Sequence, residues 1–296
     1  MTKDILGPVR IPFLVLSPVC VLLGVGTASQ SAGSLNALHV ALAFIGAMAA
    51  HICVNTFNEY MDFNSGLDAR TQRTPFSGGS GVLPKKPELA RSTLFMAIGS
   101  MMFTGLIGVY FIIVRGLALL PLGILGLFLI VAYTPWLTHR PILCLVAPGL
   151  GFGPLMVMGA HFVLTGEYSW SAFIASLVPF FLVSNLLLLN QFPDVEADQS
   201  VGRNHVLVVL GPRRSSRIYV LFLTLAYVSI VVGVYWRSLP IWSLLGLATI
   251  LIAVPLSLGA LRYAENPPKL VSYLGLNVLV NLVTPVLVAL GLFIGS

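Results

Sequence analysis

Charged residues are scarce in this chain. Asp, Glu, Lys and Arg together make up only 9% of its 296 residues, and only ten residues are acidic. The hydrophobic fraction is 57% and the mean hydropathy is +0.95, whereas soluble domains contain about 45–50% apolar residues. This composition excludes an ordinary water-soluble domain.

Cysteine and histidine are also sparse. Cys20, Cys53 and Cys144 lie in or beside apolar segments without the spacing of metal ligands, which predicts free, packed thiols. The five histidines belong to no nucleophile motif, and the chain lacks the Gly-x-x-x-x-Gly-Lys-Ser/Thr loop of nucleotide-binding proteins. The sequence therefore argues against a zinc site, a triad hydrolase and a nucleotide-binding loop.

Apolar windows of about 20 residues, the length that crosses a bilayer, recur along the whole chain. They predict an all-α, polytopic membrane protein with about nine transmembrane helices. The connections are too short for a separate soluble domain, so residues 1–296 are expected to form one transmembrane domain. The expected helices cover residues 11–27, 36–58, 92–114, 117–135, 144–164, 171–190, 216–235, 240–261 and 271–293.

The basic residues are distributed unevenly across these helices. With nine spans, only Arg115 and Arg237 fall on one side, and every other Lys and Arg falls on the side of the N-terminus. The positive-inside rule then predicts a cytoplasmic N-terminus, cytoplasmic loops and a C-terminus on the opposite side of the cytoplasmic membrane. Because topology explains the net charge of +6, no nucleic-acid partner is expected.

All acidic residues except Glu167 fall on that same predicted side, and the rule does not explain this bias. Most of them belong to two similar segments, residues 55–68 and 190–198, each following a long apolar run. Within each segment Asn and Asp recur at intervals of four, so on a helix they would share one face. The correspondence suggests an internal repeat with a site at the repeat interface.

Two carboxylate faces at one membrane depth repel each other unless a cation lies between them. Mg²⁺ fits, because it takes one or two carboxylates and completes its shell with water and phosphate oxygens. Arginines flank both segments and match phosphate geometry, although topology alone would also place them there. The candidate metal ligands are Asp62, Asp68, Asp194 and Asp198 with Asn58; the candidate diphosphate-binding residues are Arg70, Arg73, Arg140, Arg203, Asn58 and Asn190.

The longest predicted loop follows the first acidic segment and runs to about residue 87. Its prolines argue against a continuous helix, and the sequence Gly78-Gly79-Ser80-Gly81 permits unusual backbone angles. A flexible connector is one interpretation. A lid over a central cavity is the interpretation we favour, with the glycines as hinges rather than as a phosphate cradle.

A ligand with an anionic head and a lipid-soluble tail suits such a site in a bilayer, and a polyprenyl diphosphate is the natural candidate. Loss of its diphosphate leaves an allylic cation, which aromatic rings can shelter. Tyr60 and Tyr133 are the candidate catalytic aromatics beside the four aspartates, with Phe63 and Phe76 nearby in the sequence. His51 and the pair Asn277 and Asn281 have simpler interpretations, as packed or interhelical polar groups.

At these motifs the chain resembles the UbiA superfamily of intramembrane aromatic prenyltransferases, and within it the 1,4-dihydroxy-2-naphthoate polyprenyltransferase branch of menaquinone biosynthesis. Three segments carry the resemblance: residues 55–68, Arg73-Thr-Pro-Phe-Ser-Gly-Gly-Ser-Gly81, and residues 190–211. The resemblance implies nine helices, Mg²⁺ at the four aspartates, an opening toward lipid and a cytoplasmic cap.

Three positions depart from the pattern of that branch. Glu59 stands where Asp is usual, Pro193 where a basic residue is usual, and His205 where Thr is usual. Prenyl transfer to another acceptor, such as a hydroxybenzoate, homogentisate or a lipid alcohol, therefore stays open. Two other classes of protein also stay open. One is a transporter, whose polar residues would also lie within the membrane, and the other is a non-catalytic prenyl-lipid binding protein.

Overall fold

The computed structural model describes residues 2–71 and 73–296 of the chain. These residues form helices, turns and loops, and they contain no β-strand. The protein is an integral membrane protein, since its apolar helices are long enough to cross a bilayer. The predicted all-α class is therefore confirmed.

Nine apolar helical segments follow one another along the described chain, in the order predicted. Eight of them are long enough to cross a membrane, while the fourth, α4, is shorter. The segments are α1 Asp4–Ser31, α2 Ala37–Asn64, α3 Pro87–Arg115, α4 Leu117–Tyr133, α5 Pro141–Thr165, α6 Trp170–Asn190, α7 Pro212–Tyr235, α8 Ile241–Arg262 and α9 Pro267–Ile294.

Local sequence explains why α4 is short. Gly116 has a φ of 99° and ends α3 just before α4 begins, a conformation open to glycine because it lacks a Cβ. Thr134 and Pro135 follow the last residue of α4, and residues next to proline disfavour helix. The fourth predicted span is therefore present as an apolar helix that does not reach the length of the other eight.

The first segment, α1, is broken near its start. Arg10 adopts the left-handed conformation with a φ of 53°, and its amide N–H bonds to the carbonyl of Gly7 at 3.0 Å. Pro8 and Pro12 flank this break and remove two backbone donors. The pieces of the segment are Thr2–Leu6, Gly7–Val9, Ile11–Leu14 and Leu16–Ser31. The break turns Arg10 toward the end of α2.

The buried core is built around α6, which packs against α1, α5, α7 and α9. A Cβ on Gly153 of α5 would lie 2.6 Å from the Ser176 carbonyl oxygen of α6, so only glycine allows this approach. Polar side chains also connect the helices. The Asn185 side chain donates to the Tyr219 carbonyl at 2.7 Å, and the Tyr219 hydroxyl donates to Asn277 Oδ1 at 2.9 Å. The interhelical interpretation of Asn277 is thus confirmed.

Short helices cover the end of the bundle where α2 and α6 finish. They are Leu67–Ala69 and Val82–Lys85 after α2, and Val195–Ser200 and Val206–Leu210 after α6. We call residues 65–86 and 191–211 together the cap. Phe76 from the cap packs against the core cluster, with its ring 3.4 Å from where a Cβ on Gly275 of α9 would lie. The expected cap loops therefore lie over one end of the helices.

Candidate functional site

One large cavity of about 1070 Å³ lies under the cap. Residues from α1 to α6 and from α9 line it, together with the cap segments. Its walls are mainly apolar along the helices, whereas the end beneath the cap carries carboxylates, amides and arginines. A cavity with these two ends suits an amphiphilic ligand.

The first acidic segment presents a polar stripe on α2. His51, Asn55, Asn58 and Asp62 all line the cavity, and their spacing of three or four residues places them on one helical face. The Asn58 side chain donates to Asp62 Oδ2 at 3.1 Å and to Thr134 Oγ1 at 3.0 Å. The predicted shared face of Asn58 and Asp62 is confirmed.

The second acidic segment does not form one continuous helix, so the predicted shared face of residues 190, 194 and 198 was wrong. Helix α6 ends at Asn190, four residues form turns, and a new helix begins at Val195. Pro193 accounts for the break, because it has no N–H to bond the carbonyl four residues earlier and its ring clashes there. Asn190, Asp194 and Asp198 nevertheless all line the cavity.

Arg203 joins the two segments. Its guanidinium donates to Asp62 Oδ1 of the first segment. It also donates to Asp198 Oδ1 of the second segment, at 3.0 Å. The side chains of all three are largely buried, with 15%, 9% and 6% exposed. The cation between the carboxylates in this structure is therefore an arginine, which lowers their mutual repulsion.

His205 supports the same cluster. Its Nε2 lies 3.1 Å from Asp198 Oδ2, and the residue is 1% exposed. The side chain of Asp198 is therefore held by Arg203 through one oxygen and by His205 through the other. His205, which departs from the family pattern, therefore contacts the acidic cluster directly through Asp198.

Asp68 and Asp194 are less completely paired. Asp68 is 6% exposed, and its Oδ2 has no hydrogen-bond partner among the described residues. Within the described part of the chain, the Asp194 side chain accepts only a long bond of 3.4 Å from the Ser77 hydroxyl. Burial raises the pKa of Asp68 to about 7, with Glu59 and Asp62 adding to the rise, and burial with the charge of Asp198 raises the pKa of Asp194 to about 7.

The donor set fits a hard divalent cation. Asn190 also has a buried side-chain oxygen without a partner in the described part of the chain, and like Asp68 it lines the cavity. No group of three His, Cys, Asp or Glu side chains within residues 2–71 and 73–296 could hold a metal by itself. Mg²⁺ does not need such a cage, because phosphate oxygens and waters complete its shell.

The other predicted arginines lie outside this cluster. Arg70 bonds to the carbonyl and hydroxyl oxygens of Ser200, and so joins the two halves of the cap. The Arg73 side chain donates to the Gly78 and Gly81 carbonyls, both at 3.3 Å. Arg140 is exposed, and neither it, Arg70 nor Arg73 lines the cavity.

The two predicted aromatic residues have different positions. Tyr133 at the end of α4 lines the cavity, as does Phe76 from the cap. Tyr60 does not line it, because two residues beyond Asn58 correspond to a turn of about 200° around the helix. Of the two predicted aromatic residues, Tyr133 therefore faces the cavity that the carboxylates also line, and Tyr60 does not.

Sequence reasoning missed an ion pair that supports the cap. Glu59 is fully buried and accepts hydrogen bonds from the Arg10 guanidinium, at 2.7 Å from Nε, and from the Ser80 hydroxyl, at 2.6 Å. The signal in the sequence was the departure at Glu59. Nothing in the sequence pointed to Arg10, which lies 49 residues earlier, or to Thr134.

The fold and the cavity define an intramembrane protein whose buried acidic cluster lies at the head of an apolar chamber. The sequence model of the UbiA prenyltransferase family matches residues 17–281. The chain belongs to this family, and it is a prenyltransferase.

Curated relatives are distant. A 2-carboxy-1,4-naphthoquinone phytyltransferase of Synechocystis is 21% identical over 89% of this chain and 84% of its own length. A 1,4-dihydroxy-2-naphthoate octaprenyltransferase of Bacillus subtilis is 24% identical over 73% of this chain and 68% of its own. The first name contains a naphthoquinone and the second a naphthoate.

Solved structures share the fold. A UbiA homologue from Aeropyrum pernix superposes with a TM-score of 0.74 at 16% identity, over 96% of this chain and 98% of that one. A homologue from Archaeoglobus fulgidus, solved bound to GPP and Mg²⁺, gives a TM-score of 0.62 at 12% identity, over 96% and 99%. At such identities these structures establish the architecture alone.

Proposed function

We propose that this enzyme transfers a polyprenyl group from an isoprenyl diphosphate to an aromatic acceptor in a Mg²⁺-dependent reaction, and that the acceptor is 1,4-dihydroxy-2-naphthoate, as in menaquinone biosynthesis. One observation carries the proposal: two acidic segments and Arg203 meet at one end of a large cavity whose walls are apolar. The acidic end suits a diphosphate with its metal, and the walls suit a prenyl chain.

The aspartates would hold the metal. Asp62 and Asp68 from the first segment and Asp194 and Asp198 from the second line one cavity, with Asn58 and Asn190 adding amide oxygens. When bound, Mg²⁺ neutralises the diphosphate and stabilises the charge that develops on it as it leaves. The unpartnered oxygens of Asp68 and Asn190 support this assignment.

Arg203 would contribute to diphosphate binding. Its guanidinium is already fixed by two carboxylates at the head of the cavity, and guanidinium donors match phosphate oxygens in pairs. Arg70 and Arg73 support the site indirectly, because their side chains hold cap segments together.

The apolar walls would hold the prenyl chain, and α3 and α4 provide a route from lipid. Met102, Leu106 and Ile124 line the cavity and are 64%, 66% and 58% exposed. Helices α3 and α4 pack only loosely against each other, whereas α2 and α3 pack closely. A long tail can therefore lie in the cavity and extend into the bilayer between α3 and α4.

The acceptor would bind between the diphosphate and the apolar walls. His51 and Asn55 lie on the polar stripe of α2 below Asn58, and Ser17 holds the His51 ring through a 2.8 Å bond to Nδ1. These groups can bond ring hydroxyls or a carboxylate. The names of the two naphthoquinone-type relatives favour a naphthoate as the ring.

The reaction conserves electrons and charge in three bond changes. The allylic C–O bond breaks and its electron pair leaves with the diphosphate. A ring carbon of the acceptor then supplies an electron pair to form the C–C bond with the prenyl cation. The ring regains aromaticity when that carbon releases a proton or, at the carboxyl-bearing carbon, CO₂, and the electron pair of the broken bond stays with the ring. Tyr133 and Phe76, which line the cavity, would shelter the cation with their π faces.

The orientation in the membrane follows from the distribution of basic residues. We infer that the N-terminus and the cap are cytoplasmic, the C-terminus lies on the other side, and residues 1–296 act as one domain. A cysteine introduced in the cap, labelled by an impermeant reagent only after cells are opened, tests the orientation.

The function is tested with purified protein in detergent. Mg²⁺, geranylgeranyl diphosphate and 1,4-dihydroxy-2-naphthoate are supplied, and both diphosphate release and product mass are measured, with EDTA and acceptor-free controls. The proposal expects an EDTA-sensitive prenylated naphthoquinone-type product. Diphosphate release without that product would move the assignment to another acceptor, and no release with any donor would overturn it in favour of a transporter or binding protein.

A further inference from the structure

Part of the cap extends from one acidic segment to the other. We call residues 77–80 the cap turn. At one end, the Ser77 hydroxyl donates to Asp194 Oδ1 of the second segment at 3.4 Å. At the other end, a Cβ on Gly79 would lie 3.1 Å from Asp68 Oδ1 of the first segment. Gly78, Gly79 and Ser80 of the cap turn line the cavity. The cap turn therefore spans the region where a ligand shared by both segments would bind.

The backbone of the cap turn requires glycine. Gly78 and Gly79 have φ angles of 83° and 70°, in the left-handed region that L side chains rarely adopt. A Cβ on Gly79 would also lie 3.1 Å from Glu59 Oε1, so it would fill the space between two carboxylates. The main chain approaches the acidic cluster as closely as it can.

The amide groups of the turn are not all used. The Ser80 N–H donates to Glu59 Oε1 at 2.7 Å. Among the described residues, the N–H groups of Gly78 and Gly79 have no hydrogen-bond acceptor. Successive amides in a tight turn of this kind form a concave donor site for anions. Near them lies Asp68 Oδ2, which is buried without a partner and also lines the cavity.

Glu59 fixes the turn in place. Its buried carboxylate accepts from Arg10 of α1, from the Ser80 amide and from the Ser80 hydroxyl. Three parts of the chain, α1, α2 and the cap, therefore meet at one side chain. An aspartate would be one methylene shorter. It could not keep both the contact to Arg10 Nε at 2.7 Å and the contact to the Ser80 hydroxyl at 2.6 Å.

We propose that the cap turn is a main-chain binding element for the diphosphate, donating through the amides of Gly78 and Gly79, and that Glu59 is its positioning residue. The inference rests on the proposed function, because it names a further contact for the same diphosphate. Amide donors complement the metal ligands, since they bind the anion without adding charge to a crowded acidic site. The glycines are thus binding groups as well as flexible ones.

The first test observes the amides directly. Protein labelled with ¹⁵N-glycine is titrated with inorganic diphosphate in the presence of Mg²⁺. The Gly78 and Gly79 resonances should shift and their hydrogen exchange should slow by about tenfold or more, as expected for charge-assisted bonds. The Gly211 resonance should not change, because Gly211 has a φ of 75° but does not line the cavity. Unchanged Gly78 and Gly79 signals while diphosphate binds would overturn the inference.

The second test compares variants. Gly79→Ala should raise Kd for inorganic diphosphate about tenfold or more. Gly211 also has a positive φ, of 75°, and a Cβ there would meet nothing within 4 Å. Gly211→Ala therefore imposes backbone strain away from the cavity and should leave Kd unchanged. Equal Kd values for the two variants would overturn the inference.

Glu59 is tested by a conservative pair. Glu59→Asp keeps the charge but shortens the reach, so KM for the prenyl diphosphate should rise about tenfold with little change in kcat. Glu196→Asp changes an exposed acid within the second segment that does not line the cavity. It is the matched control and should change neither KM nor kcat. If Glu59→Asp lowers kcat and leaves KM unchanged, Glu59 does not act through diphosphate binding. Absence of diphosphate release by the unmodified enzyme would instead reject the proposed function itself.

Discussion

The two acidic segments have similar sequences, but different parts of the protein hold them. The first segment continues α2 to Asn64, and its neighbours come from elsewhere in the chain: Arg10 contacts Glu59, and Thr134 contacts Asn58. The second segment breaks after Asn190, and its own following loop returns Arg203 and His205 to Asp198.

The comparison shows how a repeated motif can serve one site without repeated local structure. One continuous helix carries Asn58 and Asp62. Asp198 lies on a separate short helix, Val195–Ser200, where Arg203 and His205 hold its carboxylate. Arg203 then connects the two segments, because it reaches Asp62 as well as Asp198. Each prediction below tests whether the segments contribute equally or differently.

The largest effect is expected from the two carboxylates that are least engaged with the protein. Asp68→Asn and Asp194→Asn should each lower kcat/KM by more than about a hundredfold, because each removes the charge of a proposed metal ligand. Thermal unfolding should change little, since neither carboxylate makes a short bond to another side chain among the described residues. Near-normal turnover of one variant would show that only one segment binds the diphosphate.

Arg203→Gln should next reduce stability. Removing one partner of a buried pair costs about 3–5 kcal/mol, and here it leaves two carboxylates, 9% and 6% exposed, without their cation. Mg²⁺ should restore part of the lost stability, as measured by thermal unfolding with Mg²⁺ or EDTA. Arg214→Gln, at an exposed position, is the control. An Arg203 variant that unfolds at the same temperature in both conditions would contradict a metal site here.

His205→Thr tests a support found only in the second segment. Loss of the contact to Asp198 Oδ2 leaves Arg203 to hold that carboxylate, so Mg²⁺ affinity should fall about tenfold, within the range for residues that orient metal ligands. The Mg²⁺ concentration for half-maximal activity measures this. A higher Mg²⁺ affinity in the variant would show that His205 competes with the metal for Asp198.

Pro193→Ala should have the smallest effect. It restores a backbone N–H donor at the break between Asn190 and Asp194. It also removes the proline ring whose steric clash prevents a continuous helix there. Because Asp198 stays bonded to Arg203 and His205, we expect kcat/KM to change by less than about tenfold. A loss as large as that of Asp194→Asn would show that the break itself positions the carboxylate.

The sequence predicted the residues of the site better than their local geometry. The scarcity of acids in an apolar chain singled out Asp62, Asp68, Asp194 and Asp198 as candidates, and all four line the cavity. Of the four candidate arginines, Arg203 lines it. Spacing could not show that Pro193 would break the helix between two of these acids, although the proline itself was the signal.

The contacts of the cap were beyond sequence reasoning. Glu59 was noticed as a departure, but its partners Arg10 and Ser80 are distant in the sequence and become neighbours only because α1 breaks at Arg10. Tyr60 was expected at the site because it lies among the acidic residues in the sequence, and its position on α2 turns it away from the cavity. The Glu59 contacts depended on distant parts of the chain, whereas the position of Tyr60 depended on side-chain direction along one helix.

The central claim is that both acidic segments bind one prenyl diphosphate. Calorimetric titration with a non-hydrolysable geranylgeranyl diphosphate analogue in Mg²⁺ tests it most directly, using the unmodified enzyme, Asp68→Asn and Asp194→Asn. The account predicts a single EDTA-sensitive site per chain that either substitution weakens strongly. Unchanged binding in either variant, or binding that survives EDTA, would contradict it.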